Sequence, residues 1–525
     1  MDYRKINILI KNLLYDMRRN CKVILTADKT LMSNYNTSLF YGFISTAPRG
    51  ILFSEILFKA TFSNPVVDKN GIALLAPQGL RRIESALINS NIVSREEVVV
   101  TTLENIPRFL SNDTKVIGIT VFDPFGKGPA STTMSGPYGI IHKESFNTYY
   151  FRKLITSNII KNAKEKGVKI IVGGPGAWQI GYEEMRKFGI DVVVEGEGEI
   201  VFPKIVKQIL ENSLECPIRI IPKYNEIPSA EEIPLLLGGT VGGLVEVSRG
   251  CGKGCKFCAP TLRRLRHRKI SDIIKDVETN IRFGQRNICL HAEDVLRYGS
   301  FSLIPDHNKV VELFRSVKSV PGVKNVSISH AALASIASSP STVERISEIL
   351  ELDRHHWLGF QTGIETGSKN LIEKYMHNKP APFKPSEWRD VVVNAFSICD
   401  EYNWIPAATL IVNLPGETED DIIQTIELVE DLKPYRSFLC PLLYVSFDGS
   451  SKPMRFIEDA KPYHFELYKA IWRHNMRWLE ELADDYSRDN NPIVRTTLRL
   501  IVKMISTYLN KKVEKFLSIA ITQQS

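Results

Sequence analysis

Three cysteines within eight positions, in SRGCGKGCKFCAP (248–260), constrain this chain more than any other feature. The segment follows an apolar run, LVEVSRG (244–250), that reads as a strand, so Cys251, Cys255 and Cys258 fall on a loop at the strand's carboxyl end. Thiolates with three and two intervening residues can converge on one face of an iron–sulfur cubane, and Gly252 and Gly254 let the loop fold tightly around it. The fourth iron is then unclaimed and open to an outside ligand. The alternative is structural zinc, which wants four N or S ligands. No Cys or His follows within a few residues of Cys258, and His267 is the nearest. Cys21, Cys216, Cys289, Cys399 and Cys440 are isolated from one another and read as small buried apolar residues.

At 525 residues the chain exceeds what one core usually serves, which favours two or three domains. The net charge of +8 is a mild excess for this size. It suits a solvated basic surface and tolerates anionic partners, but no nucleic acid is expected. No apolar run reaches the roughly 18 residues of a spanning helix, and the N-terminus lacks the pattern of a signal peptide. With cysteines too few for a disulfide scaffold, the expected location is the cytoplasm.

The predicted fold class is α/β. The runs IALLA (72–76), EVVVTT (97–102), KVIGITVF (115–122), VKIIVGG (168–174) and DVVVEG (191–196) alternate with helical patterns, which implies a parallel sheet covered on both faces, a Rossmann-like domain. Ligands in such sheets sit over the carboxyl ends of the strands, where Gly173, Gly174, Gly176, Gly196 and Gly198 either approach a ligand or only make tight turns. The stretch 211–238 reads as a linker. A second series follows: LVEVSRG, NICLH (287–291), NVSISH (325–330), WLGFQTGIE (357–365), ATLIVNLP (408–415) and FLCPLLYVSF (438–447), with helices between, two of them opening on a Ser or Thr able to cap. Six β/α units imply a partial TIM-type barrel with its site at the C-terminal mouth. The expected domains are an N-terminal extension (1–70), the Rossmann-like domain (71–222), the barrel (223–455) and a helical, basic C-terminal region (456–525). In that last region one broad face of 493–517 carries Leu500, Ile501, Met504, Ile505, Tyr508, Leu509, Val513, Phe516 and Leu517, which suits either packing on the barrel or peripheral contact with a membrane surface.

The cysteine spacing, with aromatic Phe257 before the last cysteine, resembles the signature of radical S-adenosylmethionine (SAM) enzymes. That resemblance implies a [4Fe-4S] cluster on Cys251, Cys255 and Cys258, SAM chelated at the open iron, an external electron donor, and a 5′-deoxyadenosyl radical as the reagent. It also implies that Phe257 packs near the adenine and that Glu293, in HAED where relatives often have Gly-Gly-Glu, receives the SAM amino group. Glu365 in GIETGS then lies near the ribose, and the segment LIVNLPGETEDD, containing Val412, offers backbone to the adenine. Glu417 and Thr418 can equally cap the next helix. Arg263, Arg264, Arg266 and Arg268 either neutralise a carboxylate or phosphate or form a solvated run.

Pairing such a barrel with an upstream α/β domain resembles the cobalamin-binding radical SAM enzymes, with Gly173, Gly174, Gly196 and Glu197 in the matching loops. No Asp-x-His-x-x-Gly motif occurs, so the resemblance implies cobalamin without a histidine below cobalt, or a degenerate domain without corrin. The segments LMSNYN (32–37), LLAPQGLRRIESAL (74–87), VFDPFGKGP (121–129) and HAEDVLRYGS (291–300) are most similar to archaeal tetraether lipid ring synthases. This implies hydrogen abstraction from a saturated, apolar lipid chain and closure of cyclopentane rings. A cobalamin-dependent C-methyltransferase and a non-catalytic corrin or Fe–S sensor are the alternatives. A methylthiotransferase would bring three more cluster cysteines in its N-terminal domain, where this chain offers Cys21 and Cys216.

Overall fold

The computed structural model describes residues 21–35, 39–258, 264–488 and 491–524. Two parallel sheets dominate it. The first contains β1 (Val23–Ala27), β2 (Val98–Val100), β3 (Val116–Thr120), β4 (Lys169–Gly173), β5 (Val192–Val194) and β6 (Ile218–Ile220), in the order β2-β1-β3-β4-β5-β6. Its strands are short and β-branched because both faces are covered. Alternation divides them between two cores. Ile24, Val99, Ile117, Ile119, Ile170, Val172 and Val193 enter one, and Val23, Leu25, Val98, Val100, Val116, Ile171 and Val192 enter the other. The order reverses between β1 and β3, so the crevice lies over the carboxyl ends of those strands.

Two assignments made from sequence move. VILTA (23–27), within the stretch read as an N-terminal extension, is the second strand of this sheet, and β6 lies inside the stretch read as a linker. IALLA is not one of its central strands. Ile72 makes a single antiparallel bridge to Thr101, while Leu75 and Ala76 pair with Gly239 and Thr240.

The second sheet holds β7 (Leu244–Glu246), β8 (Asn287–His291), β9 (Asn325–Ile328), β10 (Leu358–Glu365), β11 (Trp404–Val412) and β12 (Phe438–Leu443). Parallel pairing runs β7-β8-β9 and β10-β11-β12, and a parallel bridge from His330 to Gln361 joins the halves. Six parallel strands thus follow one another in chain order. Val245, Ile288, Leu290, Val326, Ile328, Phe360, Ala408, Leu410 and Leu439 pack outward in one core, and alternation turns His291, Gln361, Thr409 and Cys440 inward. The helix Ile270–Arg282 begins without a capping side chain, its N-cap being Lys269 and not Ser271, whereas Thr418 caps Glu419–Asp431 through a capping box with Asp421.

The long helix Pro462–Tyr486 packs on β12. Asn475 exchanges two 2.8 Å hydrogen bonds with the Leu439 backbone, and His474 Nε2 lies 2.8 Å from Ser437 Oγ. The apolar face expected over 493–517 is divided, because a π-helical turn at Ile505–Leu509 interrupts the helix. Ile501 and Leu517 are buried, while Leu500, Met504, Tyr508 and Phe516 are exposed. Among the described residues no helix is long and apolar enough to cross a membrane.

Candidate active site

The carboxyl ends of both sheets face one another. Thr133 Oγ1, on the helix Pro129–Met134, accepts a 2.8 Å hydrogen bond from Leu443 N at the end of β12, and Trp178 packs edge-on to Phe447 with centroids 5.0 Å apart. The cysteine segment emerges at this meeting point. Just past β7, Ser248–Arg249 and Arg266–His267 form a short antiparallel ladder, and the chain leaves and returns between its strands.

Gly252 and Gly254 adopt φ of +70° and +72°, and a Cβ on either would meet nothing within 4 Å. The glycines serve a backbone turn that other residues resist, and the space beside them is open. Gly250 N donates to Glu293 Oε2 at 3.0 Å, Arg297 Nη1 donates to the Cys251 carbonyl at 2.7 Å, and Lys256 N to the Tyr375 carbonyl at 2.9 Å. Phe257 and Cys258 pack against the barrel core.

Two lysines, buried Lys253 and partly buried Lys379, flank the thiols. Lys253 Nζ donates to the Lys379 carbonyl at 3.2 Å, and Lys379 Nζ pairs with Glu365 Oε1 at 3.1 Å. Burial raises the Cys255 thiol, against the pull of Lys379 and Lys253. Burial likewise raises Cys251, with Glu293 adding to it and Lys253 opposing. Burial lowers Lys253, whereas Lys379 stays raised because Glu365, Cys255 and Cys258 outweigh its desolvation. Burial opposes loss of the thiol protons, and the adjacent cations favour the thiolates that a metal would bind. Among the described residues no His, Cys, Asp or Glu trio is gathered on a single ion. A cluster sets a different requirement, since each thiolate binds its own iron. The donor set and the adjacent cations fit a cluster.

The other expected residues fall as follows. Glu365 ends β10 at a bulge with φ +67°, and its Oε2 accepts from Thr409 Oγ1 at 3.0 Å. Val412 ends β11 fully buried, its side chain in the core and its carbonyl bonded to Tyr444 N at 2.9 Å. Glu417 accepts from Asn413 N at 2.8 Å, and Ser368 caps the helix Lys369–Met376. Arg263 lies outside the described residues. Arg264 reaches Tyr224 Oη, while Arg266 and Arg268 are buried in ion pairs with Glu197 and Asp276, which removes them from any solvated run. Lys253, Lys379, Arg249 and Arg297 were missed. Arg249 and Lys253 were visible beside the cysteines, but nothing local marks Lys379, whose partner Lys253 is 126 positions away.

The first sheet's glycines answer a different need. A Cβ on Gly174 would lie 2.5 Å from Thr120 Oγ1 and 2.7 Å from the Val121 carbonyl, and one on Gly176 would lie 2.3 Å from the Phe122 carbonyl. A Cβ on Gly173 would touch Val194 at ordinary distance, and one on Gly196 would lie 3.1 Å from Pro222. Gly174 and Gly176 are small because the chain packs against itself. Glu197 is committed to Arg249 and Arg266. Packing thus accounts for Gly174 and Gly176 and ion pairing for Glu197, so these residues do not themselves mark a corrin site.

Residues 245–429 match the family model of the radical SAM superfamily. Over 358 residues the chain is 24% identical to a tRNA-2-methylthio-N(6)-dimethylallyladenosine synthase of Corynebacterium glutamicum (strain R), covering 66% of this chain and 62% of that protein. Over 280 residues it is 26% identical to the ribosomal protein uS12 methylthiotransferase RimO of Dictyoglomus thermophilum, covering 52% of this chain and 59% of that one. The chain thus spans about 60% of these relatives' length. In overall fold it is similar to the radical SAM methyltransferase TsrM of Kitasatospora setae, solved with tryptophan and a SAM analogue, at TM-score 0.53 and 12% identity over 95% of this chain and 99% of that one. Another TsrM structure, holding cobalamin and a [4Fe-4S] cluster, matches at TM-score 0.49 over 80% of this chain and 75% of that one, with 13% identity. Residues 245–429 thus carry a radical SAM domain, which implies a [4Fe-4S] cluster and SAM as cofactors.

Proposed function

We propose that Cys251, Cys255 and Cys258 bind three irons of the cluster, and that the enzyme abstracts hydrogen from an unactivated carbon of an apolar substrate held between the two sheets. The observation that carries this reading is the cysteine segment itself, which sits at the barrel mouth with two lysines against the thiols. When bound, the cluster supplies an electron to the SAM sulfonium, from an external donor, and so gives the 5′-deoxyadenosyl radical. The protein binds, orients and excludes water. Lys379 and Lys253 offset the negative charge of the thiolates, and Glu293 fixes the first turn through Gly250 N. Glu365, held by Lys379 and Thr409, is a rigid acceptor at the mouth for the ribose side of SAM.

Ring closure in a saturated tetraether lipid is the finer reading. Its supports are the resemblance of the quoted segments and the exposed Leu500, Met504, Tyr508 and Phe516, which suit peripheral contact with a membrane's inner face. Methyl transfer to carbon is the second reading, favoured by the TsrM likeness, which spans nearly the whole of both chains. In that reading the crevice over β1 and β3 takes cobalamin without a protein histidine.

Anaerobically reconstituted protein with reductant is expected to convert SAM to 5′-deoxyadenosine, and Cys255→Ala to abolish it. Full turnover in that variant overturns the cluster assignment. Lipid mass spectrometry of cells with and without the gene separates the finer readings, since each ring removes about 2 Da and each methyl transfer adds about 14 Da, as the cofactor chemistry dictates. Identical lipid profiles remove the lipid reading.

A further inference from the structure

One carboxylate of the first sheet holds both strands that bracket the cysteine segment. Glu197, in the loop after β5, lies with its Oε2 2.5 Å from Arg249 Nη1 and its Oε1 2.6 Å from Arg266 Nη2. A second contact from Arg266 Nη1 to Oε2 measures 3.0 Å. Arg249 and Arg266 are direct partners in the antiparallel ladder. Arg249 stands two positions before Cys251, so the Glu197 clamp sits at the base of the turn that carries the thiols.

The clamp is buried and backed by further charges. Glu199 meets Arg249 Nη1 at 2.8 Å, and Glu246 grips the same guanidinium at 2.6 and 2.9 Å. Behind them Asp276 joins Arg82, at 2.6 Å, to Arg268, at 2.5 Å. Charge balances along this seam, and the balance keeps the groups ionised. Burial alone would raise Glu246, but Arg249 and then Arg82 and His291 hold it well below the usual carboxylate range. Burial opposes Glu197 too, and Arg266 and Arg249 overcome it.

The two arginines depend on Glu197 unequally. Arg249 keeps Glu246 and Glu199 if Glu197 is lost, whereas among the described residues Arg266 keeps the Pro228 and Arg264 carbonyls and no carboxylate. Guanidinium groups paired with a carboxylate by two parallel bonds are fixed in direction as well as distance, and a neutral amide in the same place offers one acceptor and turns a donor toward a cation. Loss of the charge at Glu197 therefore releases the returning strand first and lets the ladder splay beneath Cys251.

We propose that Glu197 is a positioning residue for the cluster. Through Arg249 and Arg266 the first sheet aims the cysteine segment at the barrel mouth, so that sheet is part of the apparatus for SAM cleavage and not only a neighbouring domain. The inference rests on the cluster assignment made above.

The test uses the full-length enzyme, reconstituted anaerobically, with SAM as the probe. Electron paramagnetic resonance of the reduced cluster is recorded with and without SAM, alongside 5′-deoxyadenosine formation. Glu197→Gln is expected to keep its cluster, show a weakened SAM-induced spectral shift, and cleave SAM about ten- to a hundredfold more slowly, as expected when reacting groups are misplaced by about 1 Å. Glu197→Asp should recover part of both. Asp191→Asn, which removes the charge that pairs with Lys164 before β5, at the end of that strand away from Glu197, should lower thermal stability while leaving spectrum and cleavage unchanged. A wild-type spectrum and rate in Glu197→Gln overturns the proposal, and so does an Asp191→Asn enzyme that matches Glu197→Gln in both. Failure of the wild-type protein to hold a cluster or cleave SAM instead overturns the functional reading beneath it.

Discussion

Gly176 of the first sheet and the glycines of the cysteine segment look alike on paper and do opposite things. At Gly176, with φ −91°, a side chain would strike the Phe122 carbonyl, so the absence of a Cβ lets the protein close on itself. At Gly252 and Gly254 a side chain would strike nothing, and the residue is needed for its left-handed backbone. A glycine-rich loop in a sequence therefore signals either close packing or a turn beside vacant space. The neighbours decide which, and in the segment 248–260 the neighbours are thiols and lysines.

Substitution separates the two cases. Gly176→Ala is expected to destabilise the first sheet by about 3 kcal/mol, the upper range for overpacking, with a matching fall in unfolding temperature. A variant as stable as the parent would mean that the Phe122 carbonyl moves freely. pH divides the first sheet from the helix packed on β12 with comparable force and opposite sign. Asp28, buried at the end of β1, has its carboxyl raised from 3.8 to about 6 by desolvation, against the hydrogen bonds of Thr30 and Leu31. Its favourable state is complete below 3.8 and is lost as pH rises through about 6, removing about 3 kcal/mol from the first sheet. Asp28→Asn should therefore stabilise that region at pH 7 and change little at pH 3.5. His474 is buried against β12 and lowered from 6.5 to about 4, by desolvation first and then by Arg477 and Lys433, with Ser437 and Glu430 opposing. Its contribution is complete above 6.5 and is lost as pH falls through about 4, again about 3 kcal/mol. Hydrogen exchange at pH 4.5 and pH 7 should show the helix Pro462–Tyr486 weakening at the acid end while β1 gains, and parallel changes in both would break the contrast.

Smaller effects sharpen it. Gly254→Ala is expected to cost about 1–2 kcal/mol, the strain of a left-handed alanine, with no loss of exchange protection in β1 to β5. Thr418→Ala removes the cap of Glu419–Asp431 and should cost about 1 kcal/mol, read as a modest shift in the denaturation midpoint.

The alternation of short apolar runs and helices made both parallel sheets legible, and the cysteine spacing located the site on its loop. VILTA (23–27) was missed because five consecutive buried residues carry no alternation and follow a basic stretch. IALLA was mistaken for a central strand for the same reason, although it lies against the edge. Glu197 was visible in EGEGE, but its partners are 52 and 69 positions away. Acidic residues after a strand read alike whether they meet a ligand or an arginine from elsewhere in the chain.

One joint in the second sheet has a mechanical meaning. The three-stranded halves meet at the His330 to Gln361 bridge, where Gln361 N bonds the Ser329 carbonyl at 2.9 Å and Ala331 N bonds the Gln361 carbonyl at 3.2 Å. Every other neighbouring pair of that sheet is sewn by three or more residue pairs. Among the paired neighbours of that sheet this joint is sewn by the fewest backbone bonds, so the two halves act as separate three-stranded plates hinged at one residue pair.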